Sequence, residues 1–135
     1  MALRDYAELD EEDFYGQDFE KEGIVSLWAG LTDNSSESED LDVLQDLCGI
    51  GYYRLDNQES MCDEFVLRPL EKLIADFSYV DSFRDSVISA AKKLNIHEAR
   101  WVVAQCDFEY DPNLVKRTIQ PDPIVLGSFP YARAT

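Results

Sequence analysis

Three carboxylates alternate along one short stretch of the chain and could bind a metal ion. Asp107, Glu109 and Asp111 are separated by single residues, so a strand that ran through them would place all three on one face. Three convergent carboxylates can hold Mg²⁺ or Ca²⁺. However, Phe108 and Tyr110 alternate with them, a pattern that is also typical of a strand end with aromatics inside and acids in solvent. We expect this second arrangement, without a metal site.

The remaining residues match no common catalytic or cofactor-binding motif. His97 is the single histidine, and without a nearby nucleophile it cannot form a catalytic triad. It follows a predicted helix, where a positive charge at the carboxyl end is stabilising by itself. The segment Gly49-Ile50-Gly51 lacks the third glycine and the following helix of a phosphate-binding loop. We therefore expect no catalytic residues, no cofactor and no enzymatic activity.

The cysteines and the hydrophobic pattern indicate the compartment. Cys48, Cys62 and Cys106 are far apart, odd in number and outside any C-x-x-C pattern, which favours reduced thiols over disulfides or a zinc site. No stretch approaches the ~20 apolar residues of a membrane helix. The first residues show no apolar run of the signal-peptide type. We expect a cytoplasmic protein that does not bind membranes.

The charge is distributed very unevenly along the chain. It has 28 acidic and 12 basic residues, a net charge of −16. Residues 1–64 hold 19 acidic and 3 basic residues, whereas residues 65–135 hold nine of each. Phosphates of nucleic acids and of anionic membranes would be repelled, and a basic protein would be attracted. The composition therefore favours a protein partner with a basic surface and no direct contact with nucleic acid.

Carboxylates and tyrosines of the first half are the candidate contacts for such a partner. Tyrosine is frequent in interfaces because it combines rigid contact area with a polar tip. Tyr52 and Tyr53 are adjacent, so on a strand they would face opposite ways and one would be exposed. The predicted partner-binding residues are Glu39, Asp40, Asp42, Asp46, Tyr52, Tyr53, Asp56, Glu59, Asp63 and Glu64.

The elements that would position these residues can be read from the first half of the sequence. Residues 1–22 are acidic with scattered aromatics and no clear period, which indicates an N-terminal arm, followed by a single domain over 23–135. The apolar segment 24–29, bounded by glycines, predicts a buried strand. Ser36 and Glu39 fit a capping box for a helix that would end at Gly49, with its acids in solvent. Residues 50–55 predict a second short strand.

The second half adds a longer helix and two more strands. Residues 65–67 could be a strand, and residues 70–77 have helical spacing. Ser78 and Asp81 fit a capping box for a helix over 79–94. Residues 99–106 and 124–129 predict strands, and Asp111-Pro112-Asn113 predicts a turn. The expected class is α+β, with a small mixed or antiparallel sheet of about four strands packed against two to three helices.

Several segments of the chain also resemble a known family. The sequence Val25-Ser26-Leu27-Trp28-Ala29-Gly30 resembles the V-S-[LI]-W-x-G opening of the immunity protein 22 family of bacterial polymorphic toxin systems. Further matching segments follow in order over residues 23–131: Gly49-Ile50-Gly51-Tyr52-Tyr53, Phe77-Ser78-Tyr79 with Ser82-Phe83, Phe108-Glu109-Tyr110-Asp111, and Leu126-Gly127-Ser128-Phe129-Pro130-Tyr131.

This resemblance implies an antitoxin, without cofactor or catalysis, that binds a cognate toxin domain and blocks it inside the producing cell. A nuclease is the expected toxin, since nucleases carry basic clefts for phosphate. One alternative is an acidic regulator or DNA mimic that blocks a nucleic-acid-binding protein. The other is a small metal-dependent enzyme that uses Asp107, Glu109 and Asp111.

Overall fold

A four-stranded antiparallel sheet lies at the centre of the computed structural model, which describes residues 17–33, 41–115 and 117–132. Two of its strands, β1 (Glu20–Gly30) and β2 (Gln58–Cys62), come from the first half of the chain. The strands β3 (Arg68–Pro69) and β4 (Glu98–Ala99) pair with each other in a small second sheet. The strands β5 (Trp101–Phe108) and β6 (Ile124–Pro130) complete the main sheet, whose order is β2-β5-β1-β6.

In the described portion of the chain, two α-helices and four short helical turns connect the strands. Helix α1 is Leu70–Ile74 and helix α2 is Arg84–Lys93. A π-helical turn spans Val43–Leu47, and 3-10 turns span Leu55–Asn57, Val80–Ser82 and Pro112–Leu114. The predicted α+β class, with about four sheet strands and two to three helices, is confirmed.

Both faces of the central strands are buried, because different parts of the chain cover them. Residues Val25 to Gly30 are all buried, which explains why every one of them except Ser26 is apolar or glycine. Toward the helices, the core includes Val25, Leu27, Ala29, Val102, Ala104, Leu73, Ile74, Phe83, Val87 and Ala91. On the opposite face a second cluster includes Phe19, Trp28, Leu44, Cys48, Ile50, Trp101, Val103, Phe108 and Tyr110.

A left-handed residue near the end of β5 changes which face the following side chains reach. Cys106 packs on the helical face and Phe108 on the opposite face, although a regular strand would put both on the same side. The residue between them, Asp107, has a φ of 56°, and the pairing of β1 with β5 shifts register in this region. This bulge turns Phe108 and Tyr110 together into the second cluster.

Residues 17–22 belong to the sheet layer and not to a separate arm. The prediction began the domain at residue 23, but β1 starts at Glu20 and Phe19 is buried among Phe108 and Tyr110. The reason is that β5, the antiparallel neighbour of β1, extends to Phe108, which pairs with Glu20. The rest of the predicted arm, residues 1–16, lies outside the described residues.

Several predicted elements differ from the structure. The strand expected over 50–55 is irregular, and a strand that was not predicted, β2, follows it. Instead of a strand at 65–67, Glu64 and Phe65 are both left-handed, with φ of 52° and 58°. The predicted helix over 79–94 begins only at Arg84, because Tyr79 is left-handed and no side chain caps the helix. Strand β5 starts at Trp101 because Ala99 pairs in the second sheet.

The close contact between β1 and Trp101 gives a test of this packing. A Cβ atom on Gly30 would lie 1.8 Å from Cε2 of the Trp101 ring, so Gly30→Ala must displace a buried indole. We expect a loss of about 3 kcal/mol in the free energy of unfolding, measured by urea denaturation. Gly23→Ala is the control, because its Cβ would meet nothing within 4 Å and only backbone strain of about 1 kcal/mol opposes it. Equal losses in the two variants would contradict the packing.

Candidate partner-binding surface

Residues 41–57, which we call the acidic layer, cover the second face of the sheet with little regular structure. Side chains from elsewhere bond to its backbone. Gln105, which is 1% exposed in β5, donates from Nε2 to the carbonyl of Arg54 at 2.8 Å. The Tyr110 hydroxyl donates to the carbonyl of Cys48 at 2.8 Å. Because buried backbone groups need partners, these bonds fix the layer against the sheet.

The side chain of Gln17 makes a further pair of bonds to this layer. Its Nε2 donates to the carbonyl of Gly49 at 2.9 Å, and its Oε1 accepts from the amide of Gly51 at 2.9 Å. Gly49 has a φ of +73°, a conformation that glycine adopts without strain. The layer therefore turns sharply at Gly49 and is held on both sides of the turn by one side chain.

Two of the predicted contact residues, Asp42 and Asp46, cap the π-helical turn. Asp42 Oδ1 accepts from the Gln45 amide at 3.1 Å, while Asp46 Oδ2 accepts from the Asp42 amide at 3.0 Å. Asp42 Oδ1 also accepts from the Tyr53 hydroxyl at 2.9 Å. Burial and then this hydrogen bond raise the pKa of Tyr53. The prediction of a solvent-facing acidic helix is wrong for the described residues, since both acids are half-buried and bonded locally.

The other predicted contact residues lie in three different settings. Tyr52 is 55% exposed, and Asp56 and Glu64 are also exposed. Asp63 is exposed but forms an ion pair with Arg68 at 2.6 Å. Glu59 pairs with Ala104 on the helical face, where its carboxylate accepts from the Ser78 amide at 3.1 Å. The structure thus brings Asp42, Asp46 and Tyr53 together and turns Glu59 away, while Glu39 and Asp40 lie outside the described residues.

A groove of about 630 Å³ lies between the acidic layer and strand β2. Its floor comes from β2 and β5, and its wall from the acidic layer. Leu55, which is 67% exposed, stands at its margin. The lining residues are Leu41, Asp42, Val43, Tyr53, Leu55, Gln58, Ser60, Met61, Cys62, Phe65, Trp101, Val102 and Val103.

Sequence reasoning missed most of this groove because it missed β2. The segment Gln58-Glu59-Ser60-Met61-Cys62 contains no β-branched or aromatic residue, and those residues carry most of the strand signal. Its one usable signal is alternation: Glu59 and Met61 face the helical side, while Gln58, Ser60 and Cys62 face the groove. Among the predicted contact residues, only Asp42 and Tyr53 line the groove.

The three alternating carboxylates do not converge on one point. Asp107 Oδ1 accepts from the Gly23 amide at 3.0 Å and from the Tyr131 hydroxyl at 2.6 Å. Glu109 is exposed and pairs with Lys21 at 3.5 Å. Asp111 caps a 3-10 turn by accepting from the Asn113 amide at 2.9 Å. In the part of the chain that the structure describes, no three His, Cys, Asp or Glu side chains form a group suited to a metal ion.

No protein-family model, no curated protein and no solved structure matches the chain. None of the helices in residues 17–33, 41–115 and 117–132 has the length and apolar character needed to cross a membrane.

The bonds of Asp42 give a prediction about the stability of the acidic layer. Asp42→Ala removes the acceptor for both the Gln45 amide and the Tyr53 hydroxyl, so we expect a loss of about 2 kcal/mol in the free energy of unfolding. Asp42→Asn keeps an oxygen at the same position and should lose less than half of that. Urea denaturation of both variants measures the difference. Equal destabilisation would show that charge, and not the cap, is what the layer requires.

The buried thiol of Cys48 predicts how stability changes at alkaline pH. Burial, with smaller effects from the Asp42 and Asp122 charges, raises the pKa of Cys48 from 9.0 to about 12. The neutral thiol therefore contributes stability in full below pH 9, and this contribution is lost as pH rises toward 12. We expect a slope of about 1.4 kcal/mol per pH unit in that window from this group. Denaturation across pH should show a shallower slope in Cys48→Ala, and an unchanged slope would contradict the assignment.

Proposed function

We propose that this chain is an immunity protein that binds and neutralises a cognate bacterial toxin domain with a basic surface, a nuclease being the expected kind. The observation that carries the proposal is the concentration of negative charge in the segment that forms the acidic layer and β2. Residues 41–64 contain six acidic residues and one arginine, a net charge of −5. They lie over one sheet face and along β2, whereas the second half of the chain is neutral.

Exposed apolar groups accompany this charge. Tyr52 and Leu55 are 55% and 67% exposed, and Asp56 follows Leu55 directly. Large exposed apolar side chains beside charges are typical of protein interfaces, where desolvated aromatic and aliphatic groups slow dissociation. The combination supports a protein partner better than it supports solvation alone.

The proposed mechanism is occlusion of the basic cleft with which a nuclease binds phosphate. Attraction between the acidic layer and the cleft would raise the association rate toward ~10⁸ M⁻¹s⁻¹ at low salt. The layer would then stand where the nucleic acid has to bind. Because Gln105, Tyr110 and Gln17 fix the backbone of the layer, little ordering cost would oppose binding. Such a protein acts in the cytoplasm of the cell that makes the toxin.

Two experiments test this function against the alternatives. The first is co-expression with the protein encoded immediately upstream, followed by co-purification and a growth-rescue assay. The proposal expects a stable complex and restored growth. A chain that fails to rescue growth but inhibits a DNA-binding protein would instead be a regulator or DNA mimic.

The second experiment is a charge-reversal pair that tests the acidic layer and the segment just after β2 as the contact. Asp56→Lys with Glu64→Lys reverses two exposed acids of the first half, whereas Asp76→Lys with Glu98→Lys reverses two exposed acids of the neutral half. Both pairs change the net charge equally. We expect the association rate with the toxin at low salt to fall roughly tenfold in the first pair and less than twofold in the second. Equal effects of the two pairs would mean that net charge, and not this surface, drives association.

A further inference from the structure

The two edges of the main sheet differ in how open they are to another strand. At one edge, β6 has a register shift opposite Leu27 and Trp28 and ends at Pro130, and bulges and prolines are common protections of edge strands. At the other edge, β2 pairs with β5 over five consecutive residues without a shift. No described strand lies on the outer side of β2.

Strand β2 also lacks the charged side chains that would repel a new strand. Its one charged residue, Glu59, is engaged with the Ser78 amide on the helical face. The β2 residues that line the groove are Gln58, Ser60, Met61 and Cys62, all of them uncharged. An edge with unpaired backbone groups and no charge on its open face is a template for an added strand.

The groove beside β2 determines which side chains an added strand should carry. Asp42 is the charged residue among the described residues that line it. Its Oδ1 atom accepts hydrogen bonds from Gln45 and Tyr53, and its carboxylate would attract a cationic side chain in the groove. The neighbouring lining residues Val43, Leu55 and Phe65 are apolar. The groove therefore suits an apolar side chain next to a lysine or arginine.

We infer that an extended, basic segment of the partner protein pairs with the outer edge of β2 and places a cationic side chain on Asp42. This inference rests on the proposed function and names the part of the toxin that the groove receives. Alternate side chains of the segment lie in the groove, as the two-residue period of a strand requires. A second copy of this chain fits poorly, because pairing of two β2 strands would bring together two chains that each carry −16.

A short synthetic peptide, the lysine–valine peptide, tests the chemistry of the groove on the full chain. Lysine and valine take turns at every second position, with threonine between them, so that both kinds of side chain lie on the face toward the groove. We expect saturable binding by fluorescence anisotropy and new protection of β2 amides in hydrogen exchange. A glutamate–valine peptide of equal length should not bind. Methylation of alternate backbone nitrogens in the lysine–valine peptide should abolish binding, because it removes the donors that a paired strand needs. Equal binding of the methylated peptide, or protection elsewhere than in β2, would overturn the inference.

Two changes at the groove test whether the peptide binds there or is attracted only by the overall negative charge of the protein. Asp42→Asn keeps the acceptor for Gln45 and Tyr53 but removes the charge, so the lysine–valine peptide should bind about tenfold more weakly. The matched control Asp56→Asn removes one charge of the same layer outside the groove and should change binding less than twofold.

In the protein without substitutions, N-ethylmaleimide should react with the exposed Cys62 before the buried Cys48 and Cys106. The adduct at Cys62 should block the peptide, and unimpaired binding would contradict the groove as the site.

The same modified protein distinguishes failure of this inference from failure of the proposed function. The Cys62 adduct is tested for toxin binding in vitro, and Ser60→Lys, which blocks the same groove, is tested for protection of growing cells. If the adduct binds the toxin with native affinity and Ser60→Lys still protects the cells, the immunity function stands and the groove is not its site. If the lysine–valine peptide binds the groove but the upstream-encoded protein does not, the groove inference holds for a different basic partner and the immunity proposal is wrong.

Discussion

The structure depends on hydrogen bonds between the irregular backbone of the acidic layer and three side chains that lie in or next to β1 and β5, those of Gln17, Gln105 and Tyr110. Residues 41–57 cover an apolar sheet face, yet two short helical turns are their only regular secondary structure. Their buried carbonyls and amides need partners, since an unsatisfied buried group costs about 1–3 kcal/mol. Gln105, Tyr110 and Gln17 supply those partners at Arg54, Cys48, Gly49 and Gly51. Gln105 is the clearest case, because this polar side chain is 1% exposed in the middle of a strand and its Nε2 donates to the Arg54 carbonyl.

This arrangement divides the chain into a scaffold and a surface. The neutral second half contributes β5, β6 and the helices, which enclose one apolar core. The acidic first half contributes β1 to the scaffold and the layer to the surface. Hydrogen bonds to its backbone fix the conformation of the layer. Its exposed side chains Tyr52, Leu55 and Asp56 are therefore not needed to hold that conformation. A surface of this kind can carry much charge, because the repulsion is offset by side-chain and aromatic contacts beneath it.

The sequence predicts the buried strands well and the acidic surface poorly, for physical reasons. Strands β1, β5 and β6 are rich in apolar residues, with Ser26 and Gln105 as buried polar exceptions, and burial on both faces favours such a composition. Strand β2 is a half-exposed edge with weak strand propensity, so its pattern resembles a loop. Leu41, Leu44, Leu47 and Cys48 have helical spacing, but the bonds to Tyr110 and Gln17 favour a different path after Leu47. Asp107, Glu109 and Asp111 do not converge because the backbone of Asp107 is left-handed. The alternation of acidic and aromatic residues in the sequence does not reveal that conformation.

Hydrogen exchange of the native protein tests most directly whether the acidic layer is a fixed surface. The amide of Ile50 donates to the Leu44 carbonyl, and the amide of Gly51 donates to Gln17. If side-chain bonds lock the layer to the sheet, both amides should exchange only through global unfolding, as slowly as the amides of Leu27 and Val102 in the central strands. Exchange at Ile50 and Gly51 that is orders of magnitude faster than in β1 and β5 would show a layer that opens on its own, and would contradict the account.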